Sequence, residues 1–375
     1  MKFSSIPGLA ETKKLLTDSV RNEHSAHAQL FVGADGALNL QLALAYAAYL
    51  HCENKTEDDI CGVCPACVKS LKYIHPDTHF VFPLSNIKGD KDEERFKAEI
   101  LKSWRAFLLE DPFGNLDDWT NYYGGEDKQA IISREESRNI IKKLALKPFE
   151  SPNKVMIIWQ PERMHPSAAN GILKILEEPP PHTYFILVTN AADQLLPTIT
   201  SRAQLITVPL LQDGEVENYL LETYELDPKR AKRITQLSEG DLGYALSLIE
   251  NDDEDDTTEF FAQWMRSCYK KNLADLVARA ETYHNFDKLS QKNMLLYSMN
   301  MMRETLLNLA GSESIHRVED EELKFIQDFS KVMSLDKIEF SYKLMNNATM
   351  YLERNGSAKM IFLDLSMQLA KTLNP

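Results

Sequence analysis

The stretch of residues 154–202, with the apolar run that follows it, limits the fold of this chain more than any other part. Short apolar runs alternate with polar loops, and apolar residues recur at helical spacing from Pro166 until three consecutive prolines begin at Pro179. Such apolar runs are typical of strands that are buried in a parallel sheet. The predicted strands are 155–159, 184–188 and 205–208. This succession predicts one half of a doubly wound α/β sheet.

Length, hydropathy and charge exclude several classes of protein. The 375 residues allow two or three domains at about 100–200 residues each. No apolar run reaches the ~18–20 residues of a membrane helix, and the first residues lack the apolar core of a signal peptide, so we expect a cytoplasmic protein. The formal net charge of -14 disfavours a stand-alone nucleic-acid binder, because phosphate contacts need lysine and arginine.

A glycine loop follows the first predicted strand, 29–32, and leads into a helix that we predict to run through residue 50. Its position suits a phosphate loop, and Gly33 and Gly36 suit the turn. A working loop has a lysine for the β- and γ-phosphates and a hydroxyl for Mg²⁺ where this chain has Asn39 and Leu40. We therefore interpret the loop as a glycine turn before a packed helix; the alternative is residual nucleotide binding.

Four cysteines come next: Cys52, Cys61, Cys64 and Cys67. Four thiolates form a closed tetrahedral zinc site, and the two-residue gaps let neighbouring sulfurs converge on one ion. Disulfides are disfavoured in a reducing cytosol. Because four protein ligands leave no open coordination position, we predict a structural Zn²⁺. The alternatives are scattered core cysteines or a redox pair.

Three groups of residues resemble the signature of clamp-loader AAA+ subunits: 168–174, 176–180 and 198–202. The family has Ser-Arg-Cys at the end of the third group, and here Ala203 replaces the cysteine. Bacterial clamp loaders of the polymerase III type also carry a cysteine insertion after the first helix. The resemblance covers residues 6–75 and 131–250, is thin over 84–130 and is generic after 256. It implies an AAA+ (RecA-like) five-stranded parallel sheet followed by an all-helical region.

The resemblance also implies a domain organisation. Residues 1–210 would form the AAA+ α/β domain, which includes the cysteine module at 51–75 and an insertion at 84–130. A helical lid domain would span 211–251, and a C-terminal helical collar domain, through which such subunits assemble, would span 257–375. The predicted helices of the last part are 258–283, 288–310, 319–333, 335–354 and 357–373, after a solvated acidic hinge at 251–256.

The insertion departs from the family pattern. Residues 88–97 are charge-dense and predict a loop, whereas 99–109 predict a helix with apolar residues on one side. Trp104, Trp119, Tyr122 and Tyr123 make the segment rich in aromatic side chains. We expect them to form a local apolar core; the alternative is an exposed partner site.

Compared with active AAA+ enzymes, the chain lacks further residues that bind Mg²⁺, activate water or contact the phosphates. Active members end the third core strand in adjacent Asp and Glu, which position Mg²⁺ and polarise water, but here Trp159 and Gln160 occupy those positions. An indole cannot bind Mg²⁺, and a neutral amide cannot act as a general base. Gly243 stands where a phosphate-sensing arginine is common. Asn190 matches a residue that senses the γ-phosphate; its alternative role is to cap a turn.

The role that we predict for Arg202 does not require a nucleotide bound to its own subunit. A guanidinium at a subunit boundary can stabilise the charge on a neighbour's γ-phosphate, and Ser201 would position the loop. The alternative is an arginine paired with an acidic neighbour. The resemblance implies a chain without ATPase activity of its own, in a hetero-pentameric ring with gamma/tau motor and delta subunits. That ring loads a sliding clamp onto primed DNA, and ATP would bind at the neighbouring subunit.

Two rival functions stay open at this point. The first is the ATP-hydrolysing motor subunit of the same machine, which Asn39, Leu40, Trp159 and Gln160 oppose. The second is a stand-alone zinc-ribbon nucleic-acid-binding protein. Acidic residues close to the cysteines, such as Glu53 and Asp58, disfavour phosphate there.

Overall fold

The computed structural model describes residues 1–85, 93–125, 130–250, 254–311, 318, 320–353 and 356–374. The chain divides into two compact units, one of Met1–Glu225 with Glu239–Tyr244 and one of Leu226–Ser238 with Ala245–Pro375. The three-domain partition stays a prediction. Within the described ranges, every helix is too short or too polar to cross a membrane.

The first unit is built on a five-stranded sheet in the order β2-β3-β4-β1-β5. All neighbouring strands run parallel, which confirms the predicted fold class. Strand β1 pairs with β4 on one side and β5 on the other, so that Leu30 lies between Leu187 and Leu205. The strands are β1 (Ala28–Gly33), β2 (Thr78–Val81), β3 (Lys154–Trp159), β4 (Thr183–Thr189) and β5 (Gln204–Val208).

Helices connect these strands, as parallel pairing requires. The α2 helix is buried along its whole length, which explains why its sequence is apolar on all sides. Pro166 starts α7 at a position where its missing N–H costs nothing. The helices of this unit are α1 (Ala10–Arg21), α2 (Asn39–His51), α3 (Pro65–Ser70), α4 (Glu93–Glu110), α5 (Leu116–Tyr122), α6 (Arg134–Ala145), α7 (Pro166–Glu177), α8 (Pro197–Thr200) and α9 (Asp213–Tyr224).

The core of the first unit lies between the sheet and α7. Phe185 and Leu187 of β4 and Ile158 of β3 are completely buried in it, together with Ile172 of α7. Burying each such side chain contributes about 1.5–3 kcal/mol relative to leaving it exposed. The apolar runs that predicted strands therefore supply the main stabilisation of the sheet.

The turn that leads from α6 into β3 is held by one carboxylate. Asp77 accepts hydrogen bonds from the backbone N–H groups of Phe149, Glu150 and Ser151, at 2.6, 2.8 and 2.9 Å. Burial alone would raise the pKa of Asp77, but these three donors outweigh it and lower the pKa.

The insertion forms α4 and α5 around an aromatic core, which confirms the prediction for Trp104 and Trp119, whereas Tyr122 is 40% exposed. Trp104 stacks on Phe82 at 4.4 Å between ring centroids and meets the edge of Trp119 at 5.0 Å. The prediction of a charged loop over 88–97 is partly wrong, because α4 begins at Glu93 and 93–97 are therefore helical. Residues 88–92 lie outside the described ranges. Asn115 caps α5 in a reciprocal capping box with Asp118.

The second unit is helical. The predicted helix 258–283 is wrong, since it is two helices, α12 and α13, separated at Lys271, where φ is +54°. Residues 254–256 of the predicted acidic hinge form the first turn of α12, where acidic side chains suit the helix dipole; 251–253 lie outside the described ranges. The remaining helices are α10 (Pro228–Ser238), α11 (Leu242–Glu250, whose first turn belongs to the first unit), α12 (Glu254–Tyr269), α13 (Leu273–His284), α14 (Lys288–Leu309), α15 (Asp320–Ser330), α16 (Leu335–Glu353) and α17 (Ala358–Leu373).

A buried tryptophan joins α12 to α17. Trp264 is completely buried, its ring lies 4.4 Å from that of Phe362, and its Nε1–H donates to Ser366 Oγ at 2.8 Å. We expect Ser366→Ala to lower the free energy of unfolding by about 1–3 kcal/mol, because the indole N–H would be left buried without a partner. Denaturation followed by tryptophan fluorescence measures this loss.

Thr372→Ala is the matched control for that substitution. The Thr372 hydroxyl bonds only the carbonyl four residues earlier in the same helix, so its loss should change the free energy by at most about 0.5 kcal/mol. Equal losses in the two variants would show that the contact between Ser366 and Trp264 stabilises nothing.

Candidate functional site

The glycine loop between β1 and α2 is shaped by its own packing. A Cβ on Gly33 would lie 2.5 Å from Ala37 Cβ and 3.0 Å from the carbonyl oxygen of Val208. Gly36 has a φ of +83°, in the left-handed region that glycine adopts without strain. Both glycines are therefore needed for the turn itself, in agreement with our interpretation of the loop.

Asn39 and Asn190 tie this loop to the end of β4. The buried Asn39 side chain donates from Nδ2 to the carbonyl oxygen of Thr189 at 2.9 Å, and it also lies 3.4 Å from Asn190 Oδ1. Asn190 Nδ2 donates to the carbonyl oxygen of Ala34 at 2.7 Å. These bonds stabilise the loop from inside and direct the Asn39 side chain into the protein.

Carboxylates surround the same edge of the sheet. A Cβ on Gly36 would lie 2.4 Å from Cγ of Asp241, whose Oδ1 accepts the N–H of Tyr244 in the first turn of α11. Glu162 accepts a hydrogen bond from the Thr189 hydroxyl at 2.8 Å. Burial raises the pKa of Glu162, and the charge of Asp35 contributes in the same direction. Negative groups in these positions disfavour a phosphate chain.

The two positions at the end of β3 have packing partners instead of a metal-binding role. Trp159 is buried, and its ring centroid lies 5.2 Å from that of Trp104 in the insertion. Gln160 has a φ of +53°, and its Oε1 accepts a hydrogen bond from Arg163 Nε at 2.7 Å. These contacts give neither side chain a role toward Mg²⁺ or an attacking water.

Gly243 lies against the insertion. A Cβ at this position would be 2.8 Å from the carbonyl oxygen of Phe113. In addition, Gln41 in the first turn of α2 donates from Nε2 to the carbonyl oxygen of Pro112 at 2.9 Å. The sequence did not indicate this proximity, because the insertion shares no pattern with the family and the contacts span more than 70 residues.

Arg202 lies on a separate loop, immediately after α8. Its Nη1 donates to the carbonyl oxygen of Thr198 at 2.8 Å and lies 3.3 Å from Ser201 Oγ. Its Nε and Nη2 bind the carboxylate of Glu177 at the end of α7. The side chains of Arg202 and Glu177 are 32% and 46% exposed, so the guanidinium is accessible at the surface. This contact is the alternative that the sequence left open, an arginine paired with an acidic neighbour, although the sequence did not indicate that Glu177 is the partner.

The four predicted cysteines converge at one point. Their sulfur atoms all lie within 4.8 Å of one another, and those of Cys61 and Cys67 are 3.8 Å apart. A tetrahedron with zinc–sulfur bonds of about 2.3 Å has edges of about 3.8 Å, so this cluster can hold a metal ion and its geometry fits zinc. The prediction of one four-cysteine site is confirmed at the level of geometry.

Backbone N–H groups surround the sulfurs. The N–H of Cys64 donates to Cys61 Sγ, and the N–H of Cys67 donates to Cys64 Sγ, both at 3.4 Å. The N–H groups of Val63 and Cys64 lower the pKa of Cys61 to about 6, which favours the thiolate that a metal requires. Because Cys64 also caps α3, the helix start positions two of the four ligands.

The five-stranded parallel sheet agrees with the resemblance to clamp-loader AAA+ subunits that the motifs between residues 168 and 202 indicate. The family model described as "DNA polymerase III, delta subunit" matches residues 8–212, more than half of the chain. The chain therefore belongs to this family.

Curated relatives support this assignment. The delta' subunit of Bacillus subtilis is 27% identical over 241 residues, which cover 64% of this chain and 59% of the relative. The delta' subunit of Haemophilus influenzae is 28% identical over 191 residues, or 50% and 45% of the two chains. The gamma subunit of Buchnera aphidicola is 30% identical over 122 residues, or 31% and 34%. The chain thus matches about a third to three fifths of each relative's length, and the predicted resemblance to clamp-loader subunits is confirmed, with delta' subunits among the relatives.

The cysteine cluster generates a direct prediction. We expect the purified chain to carry one equivalent of zinc, measured by atomic emission, and Cys64→Ser to lose most of it. Since a structural metal contributes to folding stability, the melting temperature of that variant should fall by about 5 °C or more.

Cys268→Ser provides the control, because Cys268 is also buried but lies on α12, outside the cluster. It should retain the zinc. A wild-type chain that binds no zinc when refolded in its presence would contradict the prediction.

Proposed function

We propose that this chain is a non-motor subunit, of delta-prime type, in a bacterial clamp loader, and that Arg202 completes the ATP site of a neighbouring motor subunit. The observation that carries this proposal is the contrast between two loops of one chain. The Arg202 loop is accessible and presents a guanidinium, whereas the glycine loop is bound internally by Asn39 and Asn190.

The accessible guanidinium has suitable chemistry for a γ-phosphate. Its Nη1 is oriented by the carbonyl oxygen of Thr198 and by Ser201, and its Nε and Nη2 face an anion, Glu177. An exposed ion pair of this kind contributes only about 0–1 kcal/mol, so phosphate oxygens can displace the carboxylate at low cost. A guanidinium forms paired hydrogen bonds with phosphate and carboxylate in the same planar geometry.

The proposed assembly follows the family. The partners would be gamma/tau motor subunits and a delta subunit in a hetero-pentameric ring, with the collar domain at 257–375 joining them, and the ring would place a sliding clamp on primed DNA. Zn²⁺ on the four cysteines would be structural, and ATP would bind at the neighbouring subunit. Such a chain works in the cytoplasm.

The motor subunit of the same machine is the rival function, and the similarity to a gamma subunit favours it. A motor must bind Mg²⁺ and activate water in its own chain, which Trp159, Gln160 and Asn39 do not provide. Turnover of ATP by the isolated chain separates the two functions: a motor hydrolyses it, and the proposed subunit does not.

The test uses the assembled complex. We expect Arg202→Ala to lower hydrolysis at the neighbouring ATP site by roughly 10³-fold, because arginine fingers contribute 10³–10⁵ in rate where they have been measured. DNA-stimulated ATPase and clamp loading are the readouts, and gel filtration checks that the complex still assembles.

Arg21→Ala is the matched control, since Arg21 is an exposed arginine that also pairs with a glutamate, Glu57, but lies on α1. It should leave ATPase and clamp loading unchanged. If Arg202→Ala behaves like Arg21→Ala in an intact complex, the trans-acting arginine is excluded.

A further inference from the structure

The turn between α4 and α5 contacts the start of α2, which follows the glycine loop, and Gly243, which stands where active relatives commonly have a phosphate-sensing arginine. We call residues 111–114 the covering turn. We propose that the covering turn replaces the nucleotide as a permanent structural link between the start of α2, helix α9 and the first turn of α11. This inference goes beyond the proposed function and does not depend on Arg202.

The covering turn contacts all three elements. The carbonyl oxygen of Pro112 accepts a hydrogen bond from Gln41, which is 4% exposed in the first turn of α2. The carbonyl oxygen of Phe113 lies against Gly243 at the start of α11. The Phe113 ring meets Tyr219 of α9 edge to face, with 6.0 Å between ring centroids. Four residues thus join three elements that are distant in sequence.

Local hydrogen bonds and steric limits hold the covering turn in one conformation. The N–H of Asp111 donates to the carbonyl of Phe107 at 2.8 Å, and the N–H of Gly114 donates to the carbonyl of Asp111 at 3.2 Å. A Cβ on Gly114 would lie 2.2 Å from Asp111 Oδ2 and 2.8 Å from the Phe107 ring, so a larger residue there would have to displace these side chains. The turn is therefore rigid enough to fix its partners.

The aromatic core of the insertion also supports the covering turn. Phe107 packs against Trp119 at 5.5 Å between centroids, and Trp104 contacts Trp159 at the end of β3. The indole that replaces the metal-binding carboxylate is thus one of the contacts that attach the insertion to the sheet. Trp159 therefore has two effects: it replaces a metal-binding carboxylate, and it helps to position the covering turn.

The chemical character of these contacts indicates that the covering turn takes the place of the nucleotide and does not share its site with one. The link consists of one amide hydrogen bond, one aromatic contact and one close backbone approach, all between neutral groups. The adjacent carboxylates of Asp241 and Glu162 disfavour a triphosphate. We therefore expect α9 and the start of α11 to hold their positions whether or not ATP is present.

Phe113→Ala in the full chain tests the link by hydrogen–deuterium exchange. Phe113 is 8% exposed, and removing its ring opens the contact to α9. Amide exchange in residues 33–41, 213–224 and 239–244 should rise by about ten-fold or more, as expected when local opening becomes easier. Exchange in the wild-type chain should not change when millimolar Mg-ATP is added.

Two further variants complete the test. Tyr122→Ala removes an exposed aromatic ring from the same insertion and should leave exchange in those three segments unchanged. Gly243→Ala adds one methyl group against the Phe113 carbonyl and should act like Phe113→Ala. Because Gly243→Ala is the milder change, the inference can still be tested if Phe113→Ala fails to fold.

Two outcomes would overturn the inference. One is an increase in exchange confined to α4 and α5 in both Phe113→Ala and Gly243→Ala. The other is protection of residues 33–41 by Mg-ATP in the wild-type chain, together with displacement of a fluorescent ATP analogue by ATP. Neither measurement uses the assembled complex, so failure here leaves the role of Arg202 standing, and the reverse also holds.

Discussion

The position of β1 between β4 and β5 is the constraint on which both functional loops depend. Parallel pairing brings the end of β1 beside the end of β4, so the glycine loop meets Asn190. The same sheet places β5 next to β1, and the chain enters β5 directly from the Arg202 loop. One arrangement of strands therefore positions a loop that is bound internally and a loop that faces outward.

Local patterns in the sequence predicted much of this structure. Apolar runs predicted the strands, and the spacing from Cys61 to Cys67 predicted the cluster, because both signals lie within a few residues. The break between α12 and α13 was missed because Lys271 adopts a left-handed conformation without a glycine or proline to indicate it. The sequence left open that Arg202 pairs with an acidic residue, but it did not identify Glu177, and it did not indicate the contacts of the insertion, because these contacts join distant parts of the chain.

The roles that we propose for the two loops differ in what they require physically. A catalytic nucleotide site needs metal-binding carboxylates, a cation and a hydroxyl group in register, so the loss of any one of them removes hydrolysis. An arginine that acts on a neighbour needs only an accessible guanidinium and a loop that orients it. The second requirement is compatible with the internal contacts of Asn39, Trp159 and Gly243, and the first is not.

The contact between Trp159 and Trp104 limits which residues position 159 can accept. An aspartate there would bury a carboxylate against the aromatic rings of the insertion, at a cost of several kcal/mol. An arginine at position 243 would collide with the backbone of Phe113. Packing against the insertion therefore excludes an aspartate at position 159 and an arginine at position 243, so neither residue can be introduced alone without disturbing the insertion.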